Sequence, residues 1–357
     1  MEIVDFRLRK LVFPDDRTIS DSQIQPKTDR HSVLLELHTE TGITGYGFGA
    51  SSLPESEIKR QFKSEWERLD GESPFVLCNR IERPRGGNYT QEKYGGQFQR
   101  MVDYACWDLI GKYLEKPLYQ VLGGKDPAVP AYASGLAFHH DDDRTRDIYR
   151  KFKNWGFDAA KVKVGYPTLE EDIERLGLVA DVFGRNPRLM ADANEAFSPK
   201  EAIRRINAYR EAGFDIFWVE DPVFREDVEG IQRVAQAIDF AHINVGEYVN
   251  FEQKCRLLEN GAVDIMNLQG INAGRRSATV ASAYGVPVSY GNTPMDVGIH
   301  AAAALPEVVY IEYAHHDWGR VLEQSVRIDD GKMIAPDRPG HGLKITDDAI
   351  ERYRRSE

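Results

Sequence analysis

Two lysines and three carboxylates stand at intervals that suit one catalytic centre. Lys161 and Lys163 lie in the apolar run Ala160–Val164, and Asp192, Glu220 and Glu247 each close a short apolar run of their own. From Lys163 to Asp192, to Glu220 and to Glu247 the steps are 29, 28 and 27 residues, about one strand–helix unit each. In a barrel of such units the working groups gather at the C-terminal ends of the strands. Three acids meeting there without a cation would repel one another, so a bound metal is the economical reading. One acid alone could equally cap the next helix; three in register favour the metal. Oxygen-only ligands select a hard ion, and Mg²⁺ fits because it takes few protein ligands and leaves positions for substrate oxygens. Lys161 and Lys163 alternate along one strand and so face the same side. Two adjacent ammonium groups lower each other's pKa, which predicts a neutral lysine base. A lysine base beside a metal suits removal of a proton α to a carboxylate, the metal stabilising the enediolate.

The elements that position these groups follow a regular alternation from Val129 onward. Strands are predicted at Pro130–Ser134, Ala160–Val164, Arg188–Ala193, Ile216–Glu220, Ile243–Glu247, Asp264–Gln269, Val286–Tyr290 and Val309–Tyr313. Helices between them include Leu169–Phe183, Pro199–Ala212, Val228–Ile238, Phe251–Leu258, Arg275–Tyr284 and Asp296–Leu305. Eight strands with helical crossovers predict an α/β fold closed into a barrel rather than an open sheet. No helix follows the eighth strand, so seven crossovers precede a polar tail at 327–357. The stretch 1–126 reads differently, as an α+β module ahead of the barrel at 127–326. Strand patterns at Glu2–Phe13 and Ser32–Gly49, the latter broken by a Thr41-Gly42 turn, precede helices at Glu55–Leu69 and Gln97–Leu114. Between the strand patterns, residues 14–31 are polar and without a repeat, which predicts a lid loop. It offers Gln23, Gln25, Lys27 and Arg30 to a hydroxylated anion.

Lys161-Val-Lys163, Met-Ala-Asp192-Ala-Asn194, Trp-Val-Glu220-Asp-Pro and Val-Gly-Glu247 resemble the motifs of the enolase superfamily, in its mandelate racemase/muconate lactonizing branch. The stretch from Tyr104-Ala-Cys-Trp107-Asp108 to Val-Leu-Gly-Gly124 is similar to the capping domain of that branch. The resemblance runs over essentially the whole chain. It implies a (β/α)7β modified TIM barrel with an α+β N-terminal capping domain completed by the C-terminal tail. It also implies one Mg²⁺ per subunit, a small-molecule carboxylate substrate and a homo-oligomer. By the same resemblance Asp192, Glu220 and Glu247 are the metal ligands and Lys163 is the base. Lys161 would hold the substrate carboxylate, Asn194 would stand near the metal, and Glu312 would contact that carboxylate.

The departures from the family pattern narrow the chemistry. Racemase-type members carry an acid at the end of the sixth strand and a histidine after the seventh, where this chain has Gln269 and Gly291. Neither takes a proton, so one-base chemistry is expected. The expected activity is dehydration of a sugar acid, an aldonate or an aldarate, to a 2-keto-3-deoxy acid by a Mg²⁺-dependent hydro-lyase. The alternatives are a racemase or epimerase with a second base from elsewhere, or a cycloisomerase. Further candidates for an acid or a substrate contact are His139 and His140 after the first strand, and His315 and His316 after the eighth. Tyr290 and Asn292 after the seventh strand, and Tyr89 in a Gly-rich stretch of the cap, complete the set.

Composition removes other classes. With 46 Lys+Arg against 57 Asp+Glu, the net charge is -11, which argues against nucleic-acid and anionic-membrane partners. Three distant cysteines, Cys78, Cys106 and Cys255, make no disulfide framework. The start Met-Glu-Ile-Val-Asp lacks the basic end of a signal peptide, and no membrane-length apolar run is present, so a cytoplasmic enzyme is expected. Gly45-Tyr-Gly47-Phe-Gly-Ala50 matches a dinucleotide fingerprint, the best case for an NAD-dependent dehydrogenase. No parallel strand ending in an acid follows its helix, and glycines at a domain interface explain it more simply. A non-catalytic binding barrel would not need both lysines and all three acids.

Overall fold

The computed structural model describes every residue except 21, 23–26, 79–96, 137, 185, 186, 248, 315, 317, 356 and 357, and the side chains of 15–19, 27, 28 and 97 also lie outside it. Eight parallel strands form its centre: β4 (Ala128–Ser134), β5 (Ala159–Lys163), β6 (Arg188–Asp192), β7 (Ile216–Glu220), β8 (His242–Val245), β9 (Ile265–Leu268), β10 (Val288–Tyr290) and β11 (Val308–Tyr313). Neighbours pair in chain order, and β11 returns to β4 with Glu312 opposite Tyr132, so the sheet closes. Helices cover the outside and side chains fill the inside, which is why these strands are apolar and buried on both faces. Below the mouth, Tyr132, Met190, Trp218 and Ile265 fill the interior, the Tyr132 and Trp218 rings meeting edge-on at 5.1 Å. The barrel is therefore a cup with an aromatic floor.

Side-chain caps start several crossover helices. Thr168 and Glu171 form a reciprocal capping box ahead of Leu169–Phe183, and Asn250 with Gln253 does the same for Phe251–Glu259. The last crossover departs from expectation. A helix over 296–305 is replaced by a 3₁₀ turn at Pro294–Asp296 and a single turn at Ile299–Ala302. Met295 and Asp296 adopt φ of 55° and 59°, and a left-handed pair ends any continuous helix.

Ahead of the barrel lies an antiparallel sheet of β1 (Ile3–Ile19), β2 (Lys27–Thr39) and β3 (Thr44–Ala50). The lid expected as a structureless loop at 14–31 is instead largely strand. β1 and β2 continue pairing past Phe13–Arg30, with a register shift between Pro14 and Ile19. Alternating polar residues can pair as well as apolar ones where the ladder supplies the hydrogen bonds. The tip of this hairpin reaches the barrel: the Ser20 amide donates to the Leu136 carbonyl, and Ser22 Oγ donates to the Ala193 carbonyl at 3.0 Å. The helix Gln97–Tyr113 lies on β3 so closely that a Cβ on Gly45 or Gly47 would stand 2.3 Å from the Ala105 carbonyl oxygen or 2.0 Å from that of Met101. Those glycines serve helix–sheet contact, not a pyrophosphate.

After β11 the chain forms a hairpin, β12 (Arg327–Asp329) and β13 (Lys332–Ile334), which pairs antiparallel with the start of β4. It then returns to the N-terminal sheet. The helix Asp347–Tyr353 brings Tyr353 to 5.3 Å from Phe13, and Arg354 pairs with Glu55 at 2.9 Å. A buried polar network joins the layers. Asp108 accepts from the Tyr46 amide, Lys112 Nζ and the His341 amide; His341 accepts from the Leu343 amide at Nδ1 and contacts the Tyr46 carbonyl through Nε2. His300 in turn bridges the His341 carbonyl and the Tyr119 amide. Among the described residues no helix is long and apolar enough to cross a membrane.

Candidate active site

The charged groups crown the cup. Strand alternation turns Lys161 and Lys163 of β5 inward, and both side chains are at least nine-tenths buried. Lys161 Nζ lies 3.0 Å from Glu220 Oε2, 3.1 Å from Asp192 Oδ2 and 3.0 Å from Glu312 Oε1, with the Tyr132 ring 5.4 Å away as its floor. Lys163 Nζ donates to Asp192 Oδ2 at 2.7 Å and to Asn194 Oδ1 at 2.6 Å. The Asn194 amide donates to Asp192 Oδ1, fixing the loop after β6.

These contacts set the charge of Lys161 in the metal-free chain. Burial alone would lower Lys161, but Glu220, Glu312 and Asp192 outweigh it and hold its ammonium well above the ordinary lysine value. Lysine–lysine repulsion is smaller than the pull of three carboxylates at hydrogen-bond distance. The acids answer in kind. Burial would raise Asp192, yet Lys163 and Lys161 bring it down to about 2. Glu220, deeper and ringed by other acids, is pushed well above the usual carboxylate range by burial, against the pull of Lys161.

Glu247 stands two residues beyond β8, on the loop above it, and accepts from Gln269 Nε2 at 2.9 Å. Carboxylate oxygens of Glu220, Asp221 and Glu247 lie within 4.8 Å of one another. Asp221 was not singled out from the sequence. It is 2% exposed, adopts a left-handed φ of 40°, and its Oδ2 has no hydrogen-bond donor among the described residues. Burial, then Asp192 and Glu247, push its carboxyl well up. Asn194 and Glu195, with φ of 44° and 66°, share this strained backbone at the mouth. Buried oxygens of Asn244 and Asn267 likewise lack donors, while Asn267 Nδ2 donates to Glu220 Oε1. A pocket of acceptor oxygens short of donors is what a hard divalent cation and its waters require, so the residues present fit Mg²⁺.

The other candidates separate. Glu312 is buried beside Lys161 and accepts from the Asn292 amide and Nδ2, so both face the mouth. Gln269 also lies there, its Oε1 accepting from Arg100 of the cap helix. Tyr290 does not: its ring is in the core and its hydroxyl donates to the Gly270 carbonyl. Alternation turns Ser289 inward instead, where it accepts from Asn244. His139 is exposed beside Phe138, His140 accepts from Arg175 through its carbonyl, and His316 is buried against Trp318. His315 and Tyr89 lie outside the described residues, as does the Lys27 side chain. Two basic residues at the mouth were missed, Arg100 and Lys254. Lys254 shares a buried face with Leu257 and Leu258 at helical spacing, and a lysine on such a face was the available signal.

The closed barrel with seven crossovers, the antiparallel N-terminal sheet and the lysine–carboxylate mouth define the class. Residues 144–349 match the family model described as Enolase C-terminal domain-like, and the chain belongs to that family, in the mandelate racemase/muconate lactonizing branch of the enolase superfamily. A Mesorhizobium loti protein provisionally named a mandelate racemase superposes with a TM-score of 0.94 at 37% identity, covering 100% of this chain and 95% of that one. The 3,6-anhydro-alpha-L-galactonate cycloisomerase of Streptomyces coelicolor is 32% identical over 251 residues, 68% of each chain. The L-talarate/galactarate dehydratase of Salmonella typhimurium, solved with Mg and L-lyxarohydroxamate, has a TM-score of 0.83 at 25% identity and covers 98% of this chain and 92% of that one. Further relatives include other sugar-acid dehydratases and dipeptide epimerases.

Proposed function

We propose that this chain is a Mg²⁺-dependent hydro-lyase that dehydrates a sugar acid to its 2-keto-3-deoxy product. The observation that carries the reading is Lys163, held between Asp192 and Asn194 at the rim of the carboxylate cluster, opposite positions where Gln269 and Gly291 offer no base. Asp192, Glu220 and Glu247 would hold the ion, with Asp221 beside them. Mg²⁺ there supplies a Lewis acid for the substrate carboxylate and offsets the charge of the enediolate. Occupying these carboxylates with a cation also weakens the pull that keeps Lys161 protonated. Lys161 and Glu312 orient the substrate carboxylate. Lys163 takes the C2 proton on Nζ, and the C2–H pair passes into the enediolate. That pair then forms C2=C3 as the C3–O bond breaks, and the hydroxyl leaves as water with the proton returned by Lys163. The resulting enol tautomerises to the keto acid. The same reading divides the chain into a cap, 1–126 with 327–357, over a barrel at 127–326. A cycloisomerase, favoured by the 32% relative, would keep Lys163 and lose a different leaving group.

Proton NMR in D₂O with Mg²⁺ and a panel of aldonic and aldaric acids tests this directly. Loss of the C2 signal with new 3-deoxy resonances is expected. Exchange at C2 without elimination would instead make the chain a racemase or epimerase. Lys163→Ala should slow C2 exchange by about 10²–10⁴ while Mg²⁺ binding, followed by calorimetry, stays within about twofold. Retained exchange would remove Lys163 as the base. Glu220→Gln should weaken Mg²⁺ binding by at least about tenfold.

A further inference from the structure

Lys254 sits in the first turn of Phe251–Glu259 and is 8% exposed, yet no hydrogen bond or ion pair of its ammonium is found among the described residues. Its charged surroundings are Arg100, Glu247 and Asp221. A buried lysine without a direct partner is costly, so its retention asks for a reason. Burial, then Arg100, bring its amine down to about 8, against the smaller pull of Glu247 and Asp221. Arg100 arrives from the cap helix and donates to Gln269 Oε1 at 3.1 Å, and Gln269 Nε2 donates in turn to Glu247. Two cations from different layers therefore act on the same side of the mouth, above β8 and β9 and across the barrel from Lys161 and Lys163 on β5. The negative charge facing Lys254 comes from Glu247 and Asp221, two of the three carboxylates that gather at 4.8 Å or less. Once a divalent cation neutralises those acids, the Lys254 ammonium, with no ion pair among the described residues, becomes surplus positive charge in a poorly hydrated place. An anionic group entering from solvent answers that surplus.

We propose that Lys254 and Arg100 form a second anion subsite, which receives a carboxylate at the far end of the substrate and makes the preferred substrate a dicarboxylate. The inference rests on the lysine–Mg²⁺ reading above and names the substrate class within it. Lys161 and Glu312 take the reacting carboxylate on one side of the mouth, and Lys254 with Arg100 takes the distal one on the other. Lys254 is a specificity residue here and exchanges no proton with the substrate.

Calorimetric binding to the Mg²⁺-loaded Lys163→Ala chain, which holds ligands unconverted, compares galactarate with galactonate and glucarate with gluconate. In at least one pair the dicarboxylate should bind about tenfold tighter or better. Lys254→Met should bring the members of that pair within about twofold while leaving Mg²⁺ affinity unchanged, and Lys254→Arg should restore the preference. Equal binding within both pairs, absence of binding included, overturns the subsite. So does a Lys254→Met chain that weakens Mg²⁺ and both acids alike, since Lys254 would then only position Glu247. The Mg²⁺ titration fails separately if the carboxylates hold no cation, so loss of the parent reading is told apart from loss of the subsite.

Discussion

Around Asp108 the network's buried polar atoms have partners, whereas at the barrel mouth several have none among the described residues. Asp108 takes three donors, and both rings of His341 and His300 use each nitrogen, His341 Nδ1 and His300 Nδ1 as acceptors. The mouth gathers Asp192, Glu220, Asp221, Glu247 and Glu312, and among the described residues oxygens of Asp221, Asn244 and Asn267 have no donor. Both regions are buried and charged, so burial alone does not distinguish them. What differs is closure: a network complete within the chain stabilises the fold, and one left open is complementary to something the chain does not contain. The Asp108 network ties the cap helix to the tail, while the mouth's acids crowd at a cost in stability.

Substitutions can break that contrast. Asp108→Ala should be the most damaging, costing about 3–5 kcal/mol because the Tyr46 and His341 amides lose their acceptor inside the protein. Denaturant midpoints should fall while Mg²⁺ affinity of the folded fraction holds; a change under about 1 kcal/mol would show that the network is not structural. Acid should act next. Burial holds His300 down at about 3, against an ordinary 6.5. The unfolded chain therefore binds the proton first, and the stability that neutral His300 contributes is complete above pH 6.5 and lost as pH falls toward 3. Between pH 6.5 and 4.5 the loss should be about 2–3 kcal/mol, and His300→Gln should flatten that part of the profile. An unchanged slope would put the acid sensitivity elsewhere. The smallest effect has the opposite sign. Asp221→Asn should raise the stability of the metal-free chain by about 0.5–2 kcal/mol while weakening Mg²⁺ binding, and a destabilised variant would place Asp221 in the structural class.

The barrel was legible because each of its units repeats a physical requirement. Strands buried on both faces must be apolar, and an acid closing such a run at 27- to 29-residue intervals has little other explanation. Glu312 and Asn292 were also placed at the mouth, and the structure brings them together. Tyr290 was not readable in the same way. A three-residue strand gives alternation too few positions to fix its phase, and a tyrosine satisfies either face if its hydroxyl finds a carbonyl, as it does at Gly270. The strand pairing of 14–19 with 27–29 was hidden because its ladder is made by backbone groups, which polar residues do not advertise. The charge state of Lys161 was not readable for a related reason. Spacing showed the two lysines as neighbours but not that three carboxylates stand nearer to the ammonium than any repulsion can offset. Asp221 and Lys254 escaped because one hid behind Glu220 in the same motif and the other inside an ordinary helix.

The pairing of β1 with residues 354 and 355 has a consequence for folding during synthesis. The Arg355 amide donates to the Lys10 carbonyl, and Leu11 bridges Arg354, so β1, whose far end tips over the mouth, is fastened by residues that leave the ribosome after the whole barrel. All eight barrel strands are synthesised before that fastening exists. During synthesis the cup is complete before its cover is secured, a long-range closure that should make the docking of residues 347–355 slower than the assembly of the barrel's neighbouring strands.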